Sequence, residues 1–154
     1  MQTTSPPDRY HSPSSPSDPE LAARLRLAIA RIARRLRQQA GSGMEASPTL
    51  VAALATVEKD GPLTPSALAS AERIQRPTAT RVVAKLEAAG LVTRTPDPDD
   101  GRVWRVAITA EGRTLLKRIR SRKNQYLAKQ LRRLEPEELA TLAQATRILE
   151  RLLD

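Results

Sequence analysis

The apolar residues of this chain recur at a helical period over most of its length and switch once to a strand period. From Asp18 onward, Leu21, Leu25, Ala28, Ile29, Ile32 and Leu36 are spaced to share one face of a helix, and Arg24, Arg31, Arg34, Arg35 and Arg37 take the other side. Asp18-Pro19-Glu20 supplies an N-cap, a proline at the first helical position and a first-turn acid, and Gly41-Ser42-Gly43 ends the helix. The same start returns at Ser47-Pro48, at Thr64-Pro65 and, as Gln75-Arg76-Pro77, a fourth time. Ser47-Pro48 leads Leu50, Val51, Leu54 and Val57 into a helix that stops at Asp60-Gly61. Thr64-Pro65 opens a short helix that turns Leu68 and Ala69 inward. The last start predicts a helix over 77–89 with Ala79, Val82, Val83 and Leu86 on its inner face.

After Gly90 the period becomes that of a strand. Residues 91–95 and 103–108 are short and β-branched, and they flank Pro96-Asp97-Pro98-Asp99-Asp100-Gly101, a run of turn formers. Thr109 caps a further helix with Glu111 in its first turn, along which Leu115, Leu116, Ile119, Tyr126, Leu127 and Leu131 run. A last helix begins near Glu135-Pro136-Glu137 and carries Leu139, Leu142, Ile148, Leu149 and Leu152. The expected fold is therefore mainly α with a small β-hairpin, a winged helix-turn-helix flanked by long N- and C-terminal helices. Those end helices are too thin for a core of their own. Packing against a second copy would bury them, so they are expected to join a symmetric homodimer. The predicted organisation is a Ser/Pro-rich tail over 1–17, an N-terminal dimerisation helix over 18–46, a DNA-binding lobe over 47–112 and C-terminal dimerisation helices over 113–154. The tail holds four prolines and five serines with almost nothing apolar, so disorder is expected there.

Composition narrows the chemistry. Lys and Arg number 26 against 17 Asp and Glu, a net charge of +9, which favours a polyanionic partner. Of the cations 21 are Arg, a bias mostly attributable to GC-rich coding, though Arg also presents a rigid fork to phosphate and to guanine. The absence of Cys excludes disulfides, thiolate switches and Cys-ligated zinc. The single histidine, His11, lies in the Ser/Pro tract and leaves little from which to build a triad or a metal site. No cofactor is expected. Asp99-Asp100 and Glu137-Glu138 are adjacent acids that serve a turn and a helix start, and no phosphate-cradling glycine loop or nucleophile elbow is present, so no enzyme is expected. No apolar run approaches the ~20 residues needed to cross a bilayer, and the N-terminus lacks a signal-peptide layout. The expectation is a cytoplasmic protein with no membrane partner.

The candidate binding residues cluster between the second short helix and the hairpin. On the predicted 77–89 helix, Thr78, Thr80, Arg81 and Lys85 lie away from the apolar face, where Thr and Arg can reach base edges in the major groove of double-stranded DNA. Arg76 just precedes this helix and reaches base or phosphate. Thr64 and Ser66 open the preceding helix, whose first amides suit a phosphate. In the hairpin, Asp100, Arg102 and Arg105 are expected near Arg94 across the strands, with Asp100 paired to Arg94 or Arg102. Arg102, at an otherwise acidic tip, is placed to enter a narrow minor groove, where the negative potential is strongest.

These residues also carry a resemblance. The run Glu87-Ala88-Ala89-Gly90-Leu91-Val92-Thr93-Arg94, then Asp97-Pro98-Asp99-Asp100-Gly101-Arg102, then Val106-Ala107-Ile108-Thr109-Ala110-Glu111-Gly112, resembles the MarR family of winged-helix regulators. The wing signature of that family, Asp-x-Arg followed by a Leu-Thr pair and a Gly, falls on Asp100, Arg102, Ile108-Thr109 and Gly112, with Ile in place of Leu. The likeness runs from about Asp18 to the C-terminus. Glu135 stands where the family's last helix usually starts with Ser or Thr. The resemblance implies a homodimer joined through its terminal helices, a recognition helix in each major groove, a wing in the flanking minor groove, and repression of a pseudo-palindromic operator relieved by a small molecule. It further implies a phenolic or lipophilic effector held between the dimer region and the DNA-binding lobe, for which Trp104, Tyr126 and Met44 are candidate lining residues. The lack of Cys sets the chain apart from the thiol-oxidation branch, and the lone His11 offers little to a metal-sensing branch. Other readings compete: a basic scaffold for RNA or membrane surfaces, drawing on Arg118, Arg120, Arg122, Lys123, Arg132 and Arg133, a non-specific basic architectural protein for DNA or RNA without a ligand, and an activator on the same fold.

Overall fold

The computed structural model describes residues 18–41, 43 and 47–153. The Ser/Pro tail, His11 and Met44, together with the Asp18 side chain expected to cap the first helix, lie outside the described residues. Eight elements follow in order: α1 (Asp18–Gln38), α2 (Pro48–Asp60), α3 (Pro65–Ala71), α4 (Arg76–Ala88), β1 (Val92–Pro96), β2 (Trp104–Ile108), α5 (Ala110–Leu131) and α6 (Pro136–Arg151). The predicted boundaries move by a residue or so: α4 begins at Arg76 rather than Pro77, so Arg76 belongs to the helix instead of preceding it. Among the described residues no helix is long and apolar enough to cross a membrane.

Three of the caps anticipated from sequence are made, and the one at Gln75 is not. The Ser47 hydroxyl accepts from the Leu50 amide at 3.5 Å, Thr64 from Ala67 at 3.1 Å and Thr109 from Gly112 at 3.1 Å, each satisfying an amide that has no partner inside its helix. Glu135 substitutes for a hydroxyl cap by a reciprocal arrangement, its amide donating to Glu138 Oε2 at 3.0 Å.

The chain divides into two compact units after Arg34. The first holds α1 as far as Arg34, an amphipathic stretch on which Leu21, Leu27, Ile29 and Ile32 are all exposed. The second unit holds the core. Leu54 and Val57 of α2, Leu68 of α3, Val83 and Leu86 of α4, Val106 of β2 and Ile119 of α5 are fully buried there. The strands pair antiparallel, with Val92 opposite Ile108, Arg94 opposite Val106 and Pro96 opposite Trp104. Leu63 adds a single bridge to the other edge of β2, exchanging bonds of 3.1 and 2.8 Å with Val106. This bridge ties the start of α3 to the hairpin.

Two glycines fix where the hairpin is mounted. Gly90 ends α4 at φ +72, the left-handed conformation that stops a helix and turns the chain. Gly112, in the first turn of α5, passes so close to β1 that a Cβ there would sit 2.3 Å from the Leu91 carbonyl oxygen. The Thr109 hydroxyl donates to the Gly90 carbonyl at 2.7 Å across the same junction. The α4 terminus, the strand base and the α5 start are thereby locked into one joint. The final helix, α6, contributes no buried residue, and Leu139, Leu142 and Ile148 on it are exposed.

Candidate nucleic-acid interface

On α4, Ala79, Val82, Val83 and Leu86 are buried, which turns the opposite face outward. At 100° per residue, Arg81 lies near the centre of that outward face, with Pro77, Ala84 and Ala88 in line with it. Thr78 and Lys85 fall on one flank, Arg76 and Thr80 on the other. All five predicted contact residues of the helix are exposed. Arg76, Arg81 and Lys85 make no ion pair among the described residues. The Thr80 hydroxyl donates to the Arg76 carbonyl at 3.1 Å, which leaves its lone pairs and methyl group outward. Lys85 lines a shallow groove with Leu50 of α2 and its cap Ser47, farther from the helix start than the others. The small residues in the Arg81 row let a second surface approach the backbone closely.

Before α3, Thr64 is half-buried and its oxygen is engaged by the Ala67 amide, so its primary task is to start the helix. Ser66 is exposed, and its carbonyl accepts from the Ser70 hydroxyl at 3.2 Å.

The hairpin departs from the expected pairing. Asp100 pairs with neither the Arg94 nor the Arg102 side chain. Its Oδ1 accepts from the Arg102 backbone amide at 3.0 Å, because a carboxylate two residues before an amide closes a turn more readily than it reaches across a strand. Arg94 instead turns towards α4, where its Nε lies 2.9 Å from Glu87 Oε2. Arg105 pairs with Asp97, which is buried at the root of the tip and also accepts from the Asp99 amide at 2.9 Å. The Arg105 guanidinium first, and the Asp99 amide second, hold the Asp97 carboxyl below the usual carboxylate range, and Asp97 in turn raises Arg105. Two of the three hairpin arginines are thus committed to intramolecular partners. Arg102 alone is exposed at the tip with no side-chain partner among the described residues. Sequence reasoning missed Glu87 and Asp97. Both are spaced from their arginines by distances that only the folded hairpin sets.

Neither Trp104 nor Tyr126 lines the apolar cleft over α2 in the second unit. Trp104 is half exposed on β2 and Tyr126 half-buried on α5. The cleft, of about 270 Å³, is floored by Val51, Ala52 and Ala55 of α2 and rimmed by Arg37 and Lys123.

A short helix, a turn, a second helix with an outward cationic face and a two-stranded wing define a winged helix-turn-helix protein. The MarR family model matches residues 46–104. An HTH-type transcriptional regulator of Mycobacterium bovis is 38% identical over 138 residues, covering 90% of this chain and 96% of the relative. The crystal structure of a transcriptional regulator from Pseudomonas aeruginosa superposes with a TM-score of 0.79 at 32% identity, over 90% of this chain and 99% of that one. A Staphylococcus aureus MepR variant, solved bound to an oligodeoxyribonucleotide, shares the fold with a TM-score of 0.67 at 20% identity, over 86% of this chain and 97% of that one. The chain belongs to the MarR family, and it is a transcriptional regulator.

Proposed function

We propose that this regulator is a cytoplasmic homodimeric repressor that reads a pseudo-palindromic operator with α4 and is released from it by a small molecule. The observation that carries the DNA reading is the outward face of α4, where Arg76, Arg81 and Lys85 have no ion-pair partner among the described residues and stand beside Thr78 and Thr80. Arg81 supplies a bidentate contact to guanine, and the threonines supply phosphate or thymine-methyl contacts. Ser66 and the start of α3 meet the phosphate backbone. Arg102 enters the adjacent minor groove, while Arg94, Arg105 and Asp100 keep the wing in shape.

The homodimer is supported by the apolar side chains that α1 and α6 leave in solvent, Ile32 at 53% and Ile148 at 52% exposure among them, on a scale that a second copy would cover. In the same reading residues 18–46 and 113–154 dimerise, and 47–112 bind DNA. A phenolic or lipophilic effector is assigned to the cleft over Val51, Ala52 and Ala55, where Arg37 and Lys123 would meet a polar or anionic end.

The test is a mobility-shift titration on DNA from upstream of the protein's own gene, with random-sequence duplex as competitor. A complex that survives the competitor supports the proposal. A complex that random DNA erases would favour non-specific packaging instead.

A further inference from the structure

The connection from α3 to α4 breaks two local rules within three residues. Arg73 holds φ +52, a left-handed conformation that glycine adopts freely and a residue with a Cβ adopts at a cost. Gln75 occupies the N-cap of α4 and makes no capping bond, although Ser47, Thr64 and Thr109 cap their helices with a side-chain oxygen and Glu138 serves the start of α6. Glycine at 73 and serine at 75 would suit the local backbone better. Neither side chain recovers the loss by bonding within the protein: both are exposed, and neither has a hydrogen-bond or ion-pair partner among the described residues. With Arg76 they place three unpartnered polar heads in four positions, all at the end of α4 that the proposed function sends into the groove. Departures from local consistency without a local return concentrate where a surface serves a partner.

We propose that Gln75 and Arg73 are two further DNA-contacting residues, Gln75 reading a base edge and Arg73 holding the neighbouring phosphate. The Gln75 carboxamide offers a donor and an acceptor side by side, the pair that matches N6 and N7 of adenine. The Arg73 guanidinium offers a fork to phosphate oxygens. The inference rests on α4 being the recognition helix and adds one specified base and one phosphate to each half-site.

The experiment uses the full chain and its variants Gln75→Ser and Arg73→Gly. Each is challenged with a randomised duplex library, and binding of the duplex selected by the wild type is then followed by anisotropy across a salt series. Both variants are expected to melt higher than wild type, which removes misfolding as an explanation for weaker binding. Gln75→Ser is expected to lose an A·T preference at one position of each half-site and to bind the selected duplex about tenfold more weakly. Arg73→Gly is expected to keep the selected consensus, bind several-fold more weakly and flatten the salt slope by about one per protomer. Variants that melt higher yet match the wild type in consensus, affinity and slope would overturn the inference while leaving α4 as the reader. A wild type that selects no consensus would overturn the reading of α4 itself, and this inference with it.

Discussion

Helix α4 and the wing carry the same kinds of side chain and use them in opposite ways. On α4 the cations point outward with no ion-pair partner among the described residues, and the acid of that helix, Glu87, is taken up by Arg94. In the wing two of three arginines are bound to carboxylates of the same chain, and only Arg102 is left for a partner. The wing is acidic at its tip, through Asp97, Asp99 and Asp100. It turns those acids into structure: Asp97 bonds Arg105 and the Asp99 amide, and Asp100 bonds the Arg102 amide. The difference teaches that counting cations near a groove-sized feature overestimates its contacts. What matters is which cations the fold leaves unpaired.

Removing the mount that both regions share should have the largest effect. Gly112→Ala places a methyl group against the Leu91 carbonyl. It is expected to lower stability by ~1–3 kcal/mol and to reduce binding to every DNA sequence, as read by thermal melting and anisotropy. Arg81→Ala is expected to leave the melting temperature near wild type and to relax base preference by ~1–3 kcal/mol. Equal loss on operator and random DNA would place Arg81 on phosphate instead. Arg102→Ala should weaken binding nearly uniformly across sequences and lower the salt slope by about one per protomer, and an unchanged slope would take the wing tip off the DNA. The smallest effect belongs to Arg94→Ala, which removes a surface pair worth about 0–1 kcal/mol. A loss of DNA binding larger than that, with unchanged stability, would return Arg94 to the list of contacts.

The Asp97–Arg105 pair adds a pH signature to the wing. Because folding lowers the Asp97 carboxyl below its ordinary value of 3.8, the stabilisation is fully present above that value and fades as pH falls through the folded one. The transition is read by thermal melting across an acid pH series. Asp97→Asn should remove this acid-limb transition, and a transition that persists in the variant would assign it to another carboxylate.

The elements were legible because their signals are local. The inward face of α4 follows from the spacing of Ala79, Val82, Val83 and Leu86, and the starts of α2, α3 and α5 follow from Ser47, Thr64 and Thr109, each of which does cap its helix. Pairings that span the hairpin were not legible. Arg94 finds Glu87 only after the turn at Gly90 brings β1 back over α4, and Arg105 finds Asp97 only once the tip closes. The bridge from Leu63 to Val106 joins residues far apart in sequence through backbone groups alone, and backbone groups carry no side-chain signal. By its sequence Gln75 is one more helix start in a series. Its departure from the series, a side chain that does not cap, emerges only when the hydrogen bonds are compared.

Hydroxyl-radical footprinting of the full chain on a duplex selected from a random library tests the central claim most directly, namely that two copies of α4 read two half-sites. The expected result is two protected windows with centres one helical turn apart, about 34 Å, each flanked by minor-groove protection that disappears in Arg102→Ala. A single window, or uniform protection along the duplex, would contradict a dimer that reads sequence through paired recognition helices.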